Sequence, residues 1–97
     1  METLKYNYPA SRPAPRRVHV GVVGSGDMEV LMEPLEGGQA RIVINTSVDG
    51  FGTVWENVIE RFFTRFDTSV SVEINDFGAT PGVVLLRLEQ AAEEIHS

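Results

Sequence analysis

Residues 20–34 read Val20-Gly21-Val22-Val23-Gly24-Ser25-Gly26-Asp27-Met28-Glu29-Val30-Leu31-Met32-Glu33-Pro34. The glycines admit two readings, and each implies a different fold. Gly21-x-x-Gly24-x-Gly26 looks like a phosphate-cradling loop, but such a loop must open a helix whose N-terminus faces the anion. The residues that follow decide against it. Met28, Val30 and Met32 alternate with Glu29, Leu31 and Glu33, the period of two that marks a strand with one apolar face. The run before the glycines, Val18-His19-Val20-Gly21-Val22-Val23, is β-branched and strand-like as well. The segment is therefore a hairpin with Ser25 at its tip. A serine between two glycines is a hydroxyl on bare backbone. That suits a residue reached by something large, and it suits an ordinary turn equally.

Working outward, Leu4, Tyr6 and Tyr8 alternate with Lys5 and Asn7, which predicts a short N-terminal strand. Residues 9–17, Pro-Ala-Ser-Arg-Pro-Ala-Pro-Arg-Arg, hold three prolines and three arginines and read as an extended arm outside regular structure. Downstream of the hairpin, a turn at Gly37-Gly38 leads to a third main strand, Arg41-Ile42-Val43-Ile44-Asn45-Thr46. Short connections favour antiparallel neighbours, so the three strands read as a meander.

Asp49-Gly50-Phe51-Gly52 breaks the sheet, and Thr53 with Glu56 has the spacing of a capping box, predicting a helix start. Trp55, Val58, Ile59, Phe62, Phe63 and Phe66 recur at helical spacing, an aromatic stripe expected to be core. Val70, Val72 and Ile74 mark another strand. Thr80 and Pro81 then supply an N-cap and a first helical position. The last helix carries Val84, Leu88, Ala91 and Ile95 on one stripe, broadened by Val83, Leu85, Leu86 and Ala92. The expected architecture is one α+β domain over residues 1–97, with residues 1–17 as an N-terminal strand and Pro/Arg-rich arm. Its sheet is mostly antiparallel and four- to five-stranded, with two helices on one face in the order (β)βββαβα.

Composition sets limits on function. The 97 residues are 42% hydrophobic and 23% charged, ordinary globular material with a thin core. Cysteine is absent, so there is no disulfide framework and no thiolate ligand or nucleophile. No run approaches the ~20 apolar residues that span a bilayer, and the N-terminus lacks the layout of a signal peptide. A cytoplasmic protein is expected. The net charge of −6 divides into +3 over residues 1–17 and −9 over residues 18–97. An acidic body argues against nucleic-acid binding, which depends on neutralising phosphates, and suits docking on basic partner surfaces.

Residues for independent catalysis are scarce. His19 lies in a strand and His96 at the terminus, and they are the only histidines. A Ser25–His19–acid arrangement is left open, although Val23-Gly24-Ser25-Gly26-Asp27 is not the Gly-x-Ser-x-Gly of a nucleophile elbow. Asp76-Phe77-Gly78 spells a kinase magnesium motif without the rest of that signature. Its plain reading is a core anchor at Phe77 and a bend at Gly78. No catalytic residue and no metal ligand is assigned.

Two separated motifs carry a resemblance. Val23-Gly24-Ser25-Gly26-Asp27-Met28-Glu29-Val30-Leu31 resembles the modification-site segment of the acyl-carrier (delta) subunit of bacterial malonate decarboxylase. Asp76-Phe77-Gly78-Ala79-Thr80-Pro81-Gly82-Val83-Val84, followed by Arg87-Leu88-Glu89-Gln90-Ala91, is similar to that family's C-terminal signature. The resemblance extends from about Leu4 to Ile95, and a more distant one reaches the carrier (gamma) chain of citrate lyase. It implies a carrier subunit without catalysis of its own. Ser25 would hold, through a phosphodiester, a 2'-(5''-triphosphoribosyl)-3'-dephospho-CoA group whose thiol carries acetyl or malonyl while malonate becomes acetate and carbon dioxide. It also implies partners: an acetyl/malonyl transferase subunit, decarboxylase subunits and a prosthetic-group transferase. Gly24, Gly26 and Asp27 are then expected to form the loop that the transferase recognises. Arg16 and Arg17, with His19, are candidates for contacts to the arm's phosphates or to an acidic partner. The alternatives are a non-covalent adaptor with Ser25 unmodified, a citrate-lyase-type carrier chain, and a small hydrolase using Ser25.

Overall fold

Alternating apolar residues build most of the sheet. A computed structural model describes residues 1–97 and gives six strands and two helices. In chain order these are β1 (Glu2–Pro9), β2 (Arg12–Pro13), β3 (Val18–Gly21), β4 (Met28–Pro34), β5 (Gln39–Thr46), α1 (Gly52–Arg65), β6 (Thr68–Asp76) and α2 (Pro81–Ile95). The main strands lie in the order β1-β5-β6-β4-β3, and β2 makes a two-residue parallel pairing with β6. The α+β class and the two helices agree with expectation, and the sheet has one short strand more. That strand falls in the proline-rich arm, where Arg12 and Pro13 pair with Thr68 and Ser69. Asp67 holds the approach, accepting bonds from both the amide and the hydroxyl of Ser11.

The meander is the larger correction. β3 and β4 form the expected antiparallel hairpin, but β5 does not lie beside β4. β6 inserts between them, antiparallel to β4 and parallel to β5. Parallel neighbours need a crossover, and α1 provides it between β5 and β6. A short turn permits an antiparallel pair without requiring one, so the Gly37-Gly38 turn carries the chain past the position that β6 later fills.

Register aligns the apolar residues of all five main strands. Val20, Val30, Ile74, Ile44 and Leu4 run across the sheet as one row, and Met32, Val72, Ile42 and Tyr6 as the next. Both helices cover this face. Trp55, Ile59, Phe62 and Phe63 of α1 and Val84, Leu88, Ala91 and Ile95 of α2 are buried against it. Phe62 meets Phe63 edge-to-face at 4.9 Å, and Tyr8 stacks on Phe63 at 5.8 Å. The aromatic stripe is core, as expected. Leu86 is not; it is 52% exposed. The opposite face is polar and carries a hydrogen-bonded row, Thr3–Asn45–Asn75–Glu29–His19.

The helix starts differ in kind. At α2, Thr80 caps with its side chain, Oγ1 accepting the Val83 amide at 3.3 Å, and Pro81 follows at the first helical position. At α1 the expected capping box does not form. The helix opens at Gly52 after Phe51, so Thr53 already lies inside the first turn.

Candidate functional site

Ser25 lies at the exposed tip of the β3–β4 hairpin, with Gly26 exposed beside it and Gly24 and Asp27 half-buried. Two glycines make the loop possible. Gly21, the last residue of β3, has φ +90°, and a Cβ there would lie 2.1 Å from the Met28 carbonyl oxygen. That closeness lets the Val22 amide reach the same oxygen at 3.2 Å. Gly26 has φ +77° and open space where a Cβ would stand. Its amide donates to the Phe77 carbonyl at 2.7 Å, and the Phe77 amide donates back to the Asp27 carbonyl at 2.9 Å. The Asp27 amide closes the turn on the Gly24 carbonyl at 3.1 Å.

The Asp27 side chain fixes the loop from the other side. Arg87 of α2 donates from Nε to Oδ1 at 3.0 Å and from Nη2 to Oδ2 at 2.6 Å, a two-point fork on one carboxylate. The Met28 amide adds a third donor at 2.7 Å. The Arg87 guanidinium foremost, then that amide, hold the Asp27 carboxyl below the usual carboxylate range, and the same pairing raises Arg87. The loop is therefore pinned by Phe77 and Arg87, residues that lie more than 50 positions along the chain. Neither is marked as a site residue by the sequence, although both fall within the C-terminal signature that carries part of the family resemblance.

The other named residues lie elsewhere. Arg17 pairs with Glu33 at 3.1 Å, and Arg16 Nη2 donates to the Ser97 carbonyl oxygen at 2.6 Å. Both sit at the end of the β3–β4 hairpin away from its tip, and β4 alone spans seven residues, ~20–25 Å. The fold does not bring them to Ser25. His19 is on the open face, its Nε2 2.8 Å from Glu29 Oε1, with no bond to Ser25. The Ser25–His19–acid arrangement does not form. Phe77 is half-buried and works through its backbone, which corrects its reading as a core anchor. Asp76 is the buried member of that motif. Its carboxylate accepts from Thr46 Oγ1 at 2.8 Å and from the amides of Gly78 and Ala79 at 3.3 and 3.0 Å.

What the fold and the site define is a small scaffold that presents one exposed hydroxyl on a loop braced to its own sheet and helix. A family model, that of the malonate decarboxylase delta subunit, matches residues 15–95. The malonate decarboxylase acyl carrier protein of Azotobacter vinelandii is 52% identical over 96 residues, 98% of this chain and 97% of its own. The protein of the same name from Pseudomonas putida is 53% identical with the same coverage. A chain in the crystal structure of a Pseudomonas malonate decarboxylase hetero-tetramer in complex with malonate superposes with a TM-score of 0.91 at 50% identity, covering 98% of this chain and 99% of that one. The chain belongs to the malonate decarboxylase delta subunit family.

Proposed function

We propose that the chain serves as the acyl-carrier subunit of a malonate decarboxylase, with Ser25 as the attachment residue for its prosthetic arm. The observation that carries this is the pairing of family membership across residues 15–95 with the exposed, braced serine inside that span. The proposed group is 2'-(5''-triphosphoribosyl)-3'-dephospho-CoA, joined to Ser25 by a phosphodiester. When bound, it supplies a thiol on which acetyl or malonyl is carried as a thioester.

The loop fits such a group. A Cβ at Gly26 would meet nothing within 4 Å and one at Gly24 only Val22 Cγ2 at 3.9 Å, so the hydroxyl stands in open space. The nearest carboxylate in sequence, Asp27, is neutralised by Arg87, which removes the repulsion a free anion would exert on a phosphodiester. The chain's own residues hold the attachment point still while the arm moves, and tethering keeps the cargo at high effective concentration at each partner. The reacting thiol belongs to the cofactor, so the protein's part is positioning. The partners proposed are an acetyl/malonyl transferase subunit, decarboxylase subunits and the transferase that installs the arm.

Intact mass of the chain produced with its modifying enzymes tests the reading. A single large adduct, absent in Ser25→Ala, is the expected result. An unmodified mass in an active complex would instead assign the chain to the non-covalent adaptor class.

A further inference from the structure

The N-terminal ends of α1 and α2 and the C-terminal ends of β5 and β6 enclose a cleft of about 340 Å³. Val48, Phe51, Val54, Trp55, Val58 and Val84 make its walls. Phe51 is 49% exposed, Val54 42% and Val48 37%, so three apolar side chains stand open to water around one mouth. The volume is at the low end of small-molecule sites. The only ionisable side chain in the lining is Asp76, and its carboxylate is occupied by Thr46 and the Gly78 and Ala79 amides.

The cleft and the Ser25 loop meet at Gly78. Gly78 lines the cleft, and the Gly26 amide nitrogen lies 3.9 Å from where its Cβ would stand. Gly26 is the residue after Ser25 and is bonded to Phe77, the residue before Gly78. A group attached at Ser25 therefore starts about one peptide unit from the rim.

We propose that this cleft is the resting place of the acetylated end of the arm, an inference that rests on reading Ser25 as the attachment residue. Three properties select this occupant. The tether begins at the rim, so its end is present at an effective concentration near the millimolar range, and an affinity about fourfold tighter than that fills the cleft roughly four-fifths of the time. The walls are apolar and match a methyl group and a thioester sulfur. No cationic side chain lines the cleft, so a malonyl carboxylate entering it would give up its water for no ion-pair partner, with only main-chain amides at the helix starts to meet it. The acetyl form docks and the malonyl form stays out. The resting form is thereby shielded from water, and the loaded form is left free for a partner subunit.

Trp55 is the only tryptophan and lines the cleft, so its fluorescence reports occupancy directly. The experiment compares apo, acetylated and malonylated protein made with the modifying enzymes, with intact mass confirming the adduct on Ser25 in each loaded sample. Acetylation is expected to shift the Trp55 emission to the blue, while malonylation leaves it at the apo position. A segment docked four-fifths of the time is open to attack for one fifth, so hydroxylamine should cleave the acetyl thioester about fivefold more slowly than acetyl-CoA. Val54→Glu puts a charge at the exposed rim and should abolish both effects with the adduct mass and the melting curve unchanged. Emission that is the same in apo and mass-verified acetylated protein overturns the proposal, as does cleavage as fast as that of acetyl-CoA. A Trp55 response seen only when decarboxylase subunits are added overturns it too and gives the cleft to a partner. If no adduct forms on Ser25 in an active complex, the attachment reading itself fails, and mass alone separates that outcome from the others.

Discussion

Replacing Gly21 by alanine tests whether the Ser25 loop is built as described. The new Cβ would stand 2.1 Å from the Met28 carbonyl oxygen, 3.0 Å from Glu29 Cα and 3.1 Å from the Met28 carbonyl carbon. All three are backbone atoms of the partner strand, so no side chain can swing aside. Relief requires the two strands to part, which breaks the Val22 amide bond to Met28. A positive φ at a non-glycine residue costs about 1–3 kcal/mol, overpacking adds roughly 1–3, and the lost hydrogen bond about 1. The low end of the sum is about 3 kcal/mol. A domain of this size loses ~4–8 °C of Tm per kcal/mol, so a drop of roughly 12 °C or more is expected. Circular-dichroism melts of the apo protein measure it, and amide exchange at Val22 and Gly26 localises the damage. Gly24→Ala is the matched control, because its Cβ meets only Val22 Cγ2 at 3.9 Å and its φ is not positive. A Gly21→Ala melt within about 3 °C of wild type would refute the close strand approach and the loop geometry derived from it.

Thr46→Val removes the hydroxyl that donates to the buried Asp76 carboxylate, and the expected cost is about 2 kcal/mol, read as a Tm lowered by roughly 10 °C. Asp27 has a depressed pKa in the folded state, so its contribution is in place above the ordinary carboxylate value and is lost as pH falls through the folded one. NMR shifts of the Gly26 and Phe77 amides should therefore hold to below about pH 4, and Arg87→Gln should move their transition upward. Tyr6 and Tyr8 are raised, first by burial and then by acidic neighbours including Glu56. Their stabilisation is full below the unfolded tyrosine value of about 10 and is lost as pH rises through the folded one. Melts at pH 9 and 11 should show the loss, and Tyr6→Phe with Tyr8→Phe should reduce it.

Much of the architecture was legible because periodicity reports which face a residue presents. The alternation of Met28, Val30 and Met32 against Glu29 and Glu33 separated a hairpin from a phosphate loop, and Thr80-Pro81 placed the start of α2 within a residue. Periodicity does not report which strand lies beside which. The insertion of β6 between β4 and β5 is decided by the apolar rows that come into register and by the crossover through α1, both nonlocal. The false capping box has a local cause: the chain turns at Gly50-Phe51 and enters the helix before Thr53. At the site, Ser25 stood out by its glycine neighbours, whereas the Asp27–Arg87 fork joins residues 60 positions apart with no local signature. Arg16 and Arg17 show the converse: they are near Ser25 in sequence but not in space, because an extended strand separates neighbours in sequence as fast as backbone geometry allows.

The bracing of the hairpin by Phe77 and Arg87 makes the serine's setting a product of the whole chain. A ribosome releases Ser25 and both its glycines early, yet the partners that fix the loop arrive only after most of the domain has been made. β4 also has no inner neighbour until β6 is synthesised. A chain truncated before residue 77 would display the hydroxyl on a loose ribbon. If Ser25 is the attachment residue proposed above, a modifying enzyme that recognises the braced loop would act on the finished domain and pass over fragments.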